Sequence, residues 1–388
     1  MRKPVFGILL ALALAAAGPA FADARDDVNN GTAFFRSGDK DQARQLFDRA
    51  IASGELHGTD LATAYFDRGS VYYSMGDYAH ALADAEKVLA IQPAYSDALK
   101  LRGNVRFAQG DIDGAIADLA DAADAEPADA DALINLGNAL RASQHNDLAV
   151  KAYDAAVKAR PSAGAYFGRA LAHLAMNDNA AALADLNESL RLKPDDVSAL
   201  VDRGNAYLAL GKYEPAAADY DAALKLAPGN TNALRGRAEA NAKLGRTDSA
   251  AADYNALIRS NPGDFATLRQ QGDTDLAQHA YAKAIEDYGK ALALKPDDLN
   301  TLLNRGAAYH LSGQYAKAID DYTAAIKAAP GDARAYNNRG NAYAAMSKFD
   351  EAVADYDAAL KIQPGYAEAA RNRDGALKAK KTGQKIKG

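Results

Sequence analysis

Residues 333–364 read ARAYNNRGNAYAAMSKFDEAVADYDAALKIQP. Gly340 stands in the eighth place of this stretch, Ala352 in the twentieth, Tyr356 in the twenty-fourth and Pro364 at its end. The terminal proline has eight predecessors, Pro93, Pro127, Pro161, Pro194, Pro228, Pro262, Pro296 and Pro330, each 34 residues from the next except for one step of 33. A fixed period of this size marks a repeat array rather than a single globular core. Catalysis needs no such ruler, whereas a stack of equivalent two-helix units does.

Aligning the chain on its prolines gives nine units starting at residues 62, 96, 130, 163, 197, 231, 265, 299 and 333. The eighth place is glycine in seven of them, Gly69, Gly103, Gly137, Gly204, Gly272, Gly306 and Gly340, with Ala170 and Ala238 in the other two. The twentieth place is always alanine: Ala81, Ala115, Ala149, Ala182, Ala216, Ala250, Ala284, Ala318 and Ala352. A glycine facing an alanine is expected to let two antiparallel helices approach closely. The twenty-fourth place is usually aromatic or leucine, as in Tyr153, Leu186 and Tyr220. Glycine in the fifteenth place, as in Gly110 and Gly211, supplies the turn between helices. The proline then blocks continuation of the second helix.

These residues resemble the tetratricopeptide repeat (TPR), and the resemblance covers about residues 24–379. It implies an all-α fold: a right-handed superhelical solenoid of about ten helix-turn-helix units with a C-terminal capping helix. The expected order is a leader over 1–22, an atypical first unit over 23–61 with a long loop from Ser53 to Asp60, nine units over 62–366, a capping helix over 367–380 and a basic disordered tail over 381–388. End units are expected to be atypical because one face lacks a neighbour. The chain departs from the family in often placing leucine at the fourth place, as in Leu99 and Leu200.

One correlation runs between units of this single chain. Arginine occupies the seventh place at Arg68, Arg102, Arg169, Arg203, Arg237, Arg305 and Arg339, and each of those units has aspartate in its twenty-third place. The units without the arginine carry Asn30, Leu136 and Gln271; two of them also lack the aspartate, with Leu46 and Ala152 instead. An ion pair between the two helices of each unit is expected.

The N-terminus reads as an export signal. Arg2 and Lys3 precede an apolar run from Val5 to Ala17, a Gly18-Pro19 break and Ala20-Phe21-Ala22, the order of a secretory leader cleaved after Ala22. The alternative is an uncleaved segment that anchors the chain to a membrane. Removing Arg2 and Lys3 takes the net charge from −6 to −8. That sign argues against a nucleic-acid-binding surface. With no cysteine in the chain, disulfides and thiolate chemistry are excluded.

No catalytic motif is present. The histidines His57, His80, His145, His173, His279 and His310 stand singly among the units, without metal-ligand spacing. The sequon Asn187-Glu188-Ser189 falls in a predicted helix. No enzyme activity, cofactor or metal is expected. The unit starting at 265 has Asp275 and His279 where others carry tyrosine and glycine, which makes it the expected weak link of the stack.

The resemblance places function in a concave groove lined by places two, five, six, nine and twelve of each first helix. Those places hold Phe66, Tyr73, Lys100, Asn104, Phe107, Asn135, Asn138, Arg141, Phe167, Leu171, Leu174, Asn205, Glu239, Asp273, Asn304, Asn337, Asn338 and Asn341. Asparagines there look like peptide-backbone clamps, because an amide both donates and accepts. The aromatics between Phe66 and Phe167 offer anchors. Lys100, Asn104 and Asn135 match three places of a carboxylate clamp used by one TPR subfamily, but Gly164 and Gly168 stand in its two other cationic places. The expected function is a non-enzymatic periplasmic scaffold that binds one or more proteins, through a peptide or helix held in the groove. The alternative is a cell-envelope assembly factor recognising glycan or polysaccharide-synthesis machinery. Membrane contact is expected only through an uncleaved leader or the basic tail.

Overall fold

The computed structural model describes residues 23–383; the expected leader over 1–22 and the last residues of the tail, 384–388, lie outside the described residues. Among the described residues there are twenty-one α-helices and no strand, from Ala24–Ser37 to Ala367–Thr382. They form two compact units divided between Met176 and Asn177. Within each unit every helix packs on the next one in the chain. The architecture is an all-α solenoid of helix pairs.

The helix starts follow the proline register. First helices begin at Ser96, Ala130, Ala163, Val197, Thr231, Phe265, Leu299 and Ala333. Asp129, Asp196, Asp264, Asp298 and Asp332 precede five of them, and each carboxylate accepts a backbone N–H of the helix it precedes. Such a cap contributes about 1 kcal/mol. Two boundaries differ from expectation. The helix Gly58–Met75 starts before residue 62, so the first loop ends at His57 rather than Asp60. The last helix runs to Thr382, so Lys381 and Thr382 are helical, and Lys380 of that helix pairs with Asp350.

The turn inside each repeat needs a left-handed residue at the fifteenth place. Glycine takes it at Gly110 and Gly211, while Gln144, His279 and Ser347 adopt it at φ of 64°, 59° and 62°. Side-chain-bearing residues there cost of order 1 kcal/mol, which the packed helices on either side must offset.

The packing around the eighth-place glycines adds a contact beyond the expected approach to the alanine. A Cβ built on Gly204 would lie 2.7 Å from Tyr220 Cε1, and Gly137, Gly272, Gly306 and Gly340 meet Tyr153, Tyr288, Tyr322 and Tyr356 in the same way. The glycine makes room for the twenty-fourth-place ring, one helical turn beyond the alanine. Tyr153, Tyr220, Tyr288 and Tyr356 are among the largest fully buried side chains. In two cases the ring is bounded on its other side by a glycine of the next repeat, Gly168 against Tyr153 and Gly236 against Tyr220. The twentieth-place alanines are themselves wholly buried.

The arginine–aspartate pairs form as bidentate bonds. Arg203 Nε and Nη2 donate to Asp219 Oδ2 and Oδ1 at 2.8 and 2.7 Å. The same geometry joins Arg68 to Asp84, Arg102 to Asp118, Arg237 to Asp253, Arg305 to Asp321 and Arg339 to Asp355. Sequence reasoning missed a second link. The remaining nitrogen, Nη1, reaches back sixteen residues into the preceding repeat: Arg203 to Asn187 at 2.9 Å, Arg237 to Asp221 at 2.6 Å and Arg339 to Thr323 at 3.1 Å. Arg203, Arg237 and Arg339 therefore each tie two helices of their own repeat and the repeat before it. Asn187, the first residue of the sequon, is one of these acceptors.

The Asp219 carboxylate is nearly buried and Arg203 keeps 22% of its side-chain surface exposed. A double-mutant cycle of Arg203→Leu and Asp219→Ala, followed by urea denaturation, is expected to give a coupling energy of about 1.5–3 kcal/mol, the range for hydrogen bonds to charged groups. A coupling near zero would show that the pair is only a by-product of helix packing.

Candidate functional site: the outer places of the first helices

The structure divides the expected groove residues into three sets. In the first, the ninth-place amides hold the buried tyrosines. Tyr153, Tyr220 and Tyr356 donate their hydroxyls to Asn138, Asn205 and Asn341 at 2.7, 2.7 and 2.8 Å. Asp273 accepts from Tyr288 in the same way at 2.7 Å, and Asn304 of the next repeat donates to that same oxygen at 2.8 Å. Asn372 repeats this second contact on Asn341 at 3.0 Å. A buried phenol needs an acceptor. Asn138, Asn205 and Asn341 supply it, so part of their hydrogen-bonding capacity is committed inside the repeat. The signal was legible: these ninth-place residues sit in units whose twenty-fourth place is tyrosine.

The second set is turned inward or paired. Asn337 is fully buried and bonded to Glu368 and Asn372, which corrects its expected place in the groove. Residue 337 lies where the terminal helix covers its repeat. Phe66 is half-buried with its edge on Tyr95, ring centroids 5.7 Å apart, and packs against the core. Lys100 bridges Asp97 at 2.7 Å and Asp129 at 2.5 Å. Any side chain at Gly168 would enter the Tyr153 ring, so the carboxylate clamp cannot be completed there.

The third set remains accessible. Tyr73 and Phe107 are 37% and 38% exposed. Asn104, Asn135, Arg141, Phe167 and Asn338 are half-buried, and Arg141 Nε has no partner.

One pocket on these places lies in the second unit. The first helices Thr231–Lys243 and Phe265–Ala277 approach each other less closely than the other first-helix neighbours of that unit. Between them opens a cavity of about 280 Å³, lined by Glu239, Lys243, Tyr254, Arg269, Gln270 and Asp273. Arg269 Nε and Gln270 Oε1 are buried there without a protein partner. Burial, reinforced by Glu239 and Asp273, pushes the Tyr254 hydroxyl up to about 12, so it stays a neutral donor at physiological pH. The repeat register located Glu239 and Asp273. It missed Arg269 and Gln270, because a long polar side chain at places five and six reads equally well as packing between repeats.

The arrangement offers one donor and one acceptor, without partners, beside a phenol. It presents no nucleophile–base pair. Among the described residues no cluster of three or more His, Asp or Glu could hold a metal ion, and no helix is long and apolar enough to cross a membrane.

Family models described as tetratricopeptide repeat match residues 66–131, 100–144, 134–197 and 201–265, and others so described match 300–332, 333–366 and 27–94; a TPR repeat model matches 272–313. No curated protein matches the chain. Among solved structures, the C-terminal part of a TPR repeat-containing protein from Cytophaga hutchinsonii is 18% identical, covers 62% of this chain and 98% of its own, and superposes with a TM-score of 0.52. YrrB, described as a TPR protein with an unusual peptide-binding site, is 20% identical over 49% of this chain and 97% of its own, with a TM-score of 0.44. MamA is 24% identical over 42% of this chain and 96% of its own, at 0.41.

Removing a tyrosine acceptor should register as stability. Asn138→Ala, by leaving the Tyr153 hydroxyl without its partner, is expected to lower the unfolding free energy by about 1–3 kcal/mol in urea titration. A change within about 0.5 kcal/mol, typical of a surface site, would return Asn138 to the groove.

Proposed function

The chain belongs to the tetratricopeptide repeat family, and from that premise we propose that it is a non-enzymatic scaffold that binds an extended peptide segment of a partner protein along its first helices. One observation carries the reading: the pocket between Thr231–Lys243 and Phe265–Ala277 buries Arg269 Nε and Gln270 Oε1 without protein partners. An extended peptide presents both a carbonyl and an N–H, and buried polar groups are normally paired. The exposed Tyr73 and Phe107 add apolar surface at equivalent places in the first unit.

The partner is a protein of the bacterial cell envelope. Support for that compartment comes from the leader pattern of residues 1–22 alone, with Arg2 and Lys3, the Val5–Ala17 run and Ala20-Phe21-Ala22. Expression of the full chain in a Gram-negative host should yield a periplasmic protein whose N-terminal residue, read by sequencing, is Asp23. Cytoplasmic material beginning at Met1 would remove the compartment from the proposal.

Peptide binding is tested by selecting extended peptides from a display library on purified residues 23–388. Selected peptides are expected to lose about tenfold or more in affinity for the Arg269→Ala/Gln270→Ala variant, the size of one charged hydrogen bond. Undiminished binding by that variant, with loss on Phe107→Ala/Arg141→Ala, would move the site to the first unit. Retention of envelope glycans, with no peptide selected, would favour glycan recognition instead.

A further inference from the structure

The arginine ladder has one gap in which half of it survives. Position 271 is the seventh place of its unit, where the ladder residue would bond forward sixteen residues to Asp287 and backward sixteen to Asn255. It is glutamine. Both Asn255 and Asp287 line a cavity of about 540 Å³ together with Gln271 and Asp275. At the other gap among the nine proline-bearing units the chain dropped both partners: Leu136 replaces the arginine, Ala152 replaces the aspartate, and the space is filled by apolar packing with Ile116 and Val150. At 271 the cation is gone and its acceptors remain.

The cavity is polar and internally under-satisfied. Gln271 is 3% exposed; its Nε2 donates to Asp275 Oδ2 at 3.1 Å and its Oε1 has no partner. Asp275 is 2% exposed, and among the described residues no cation lies within ion-pair distance of it. Burial pushes its carboxyl above the usual range, and Asp287 adds to this against the Gln271 donor and the Lys283 charge. Lys290 reaches Asp287 at 3.1 Å but is shared with Glu286 at 2.7 Å and is half-exposed. Four carboxylates face two lysines around the cavity.

We propose that this cavity is a binding site for a guanidinium group supplied from outside the chain, which replaces the missing ladder arginine between Asn255 and Asp287 and relieves Asp275. A planar fork with donors on opposed edges fits acceptors on two different helices, whereas an ammonium is a point charge. The volume accommodates a whole arginine side chain. The site uses Gln271 and Asp275 rather than Arg269, Gln270 and Asp273, so it is independent of the peptide pocket proposed above.

The test uses the chain from residue 23 onward with three probes in isothermal titration: agmatine, a five-residue alanine peptide with a central arginine, and the same peptide with lysine. The two guanidinium probes are expected to bind with Kd of about 1 mM or tighter, and the lysine peptide at least about tenfold more weakly. Tighter binding of the arginine peptide than of agmatine assigns the ligand to a partner's side chain; the reverse assigns it to a free small molecule. Gln271→Arg restores the ladder, so it is expected to raise Tm and to abolish the response to both guanidinium probes. Asp287→Asn, which keeps the shape of the cavity, is expected to weaken binding about tenfold. Equal binding of arginine and lysine peptides overturns the guanidinium assignment. Unchanged binding by Gln271→Arg or by Asp287→Asn, or no heat with either guanidinium probe, overturns the site.

Discussion

A tyrosine ring laid against bare glycine backbone is the constraint from which most of this structure follows. The ring of Tyr220 occupies the volume that a Cβ on Gly204 would need, and the arrangement recurs wherever the twenty-fourth place is tyrosine and the eighth is glycine. Burying so large a side chain is favourable, by roughly 25 cal/mol per Å² of apolar surface. It also fixes the separation of the two helices in those repeats, because a Cβ on the glycine would meet the ring. A chain that repeats this contact every 34 residues can grow only by adding pairs, since each pair buries its face against the next.

The polar atoms follow from that packing. A buried phenol needs an acceptor, and Asn138, Asn205, Asp273 and Asn341 provide it. In two repeats the same oxygen takes a second bond from an asparagine of the following unit, which couples neighbours through one atom. The arginine ladder does the same on other places, the guanidiniums of Arg203, Arg237 and Arg339 joining their own aspartates to the repeat before. Leaving one member out therefore affects two repeats at once. This is why the glutamine at 271 coincides with the larger cavity and with a buried carboxyl that has no cation.

The two pockets of the second unit flank the same helix, Phe265–Ala277, through different residues. The unit starting at 265 drew notice from its sequence as the irregular member of the array. Its irregularity has a physical content: where the repeat departs from its rule, groups that the rule would have paired are left facing space. In a scaffold built of equivalent parts, such departures are the places where recognition can differ from one repeat to the next.

The sequence by itself determined the period, most of the helix starts, the all-α class and the pairing of the seventh with the twenty-third place. Each depends on residues whose spacing is rigid: proline ends a helix, glycine permits a turn, and in every unit with the seventh-place arginine the aspartate stands sixteen residues on. The tertiary structure alone decided what the asparagines do. Asn337 and Asn338 are adjacent and identical in type, yet the terminal helix buries one and leaves the other half-exposed. Lys100 resembled a ligand-binding cation until Asp97 and Asp129 were found on either side of it. Gln271 and Asp275 carried no signal beyond irregularity. An amide or a lysine has the same composition whether it faces solvent, a neighbour or a ligand. Only the placement of the next repeat settles which of these it meets.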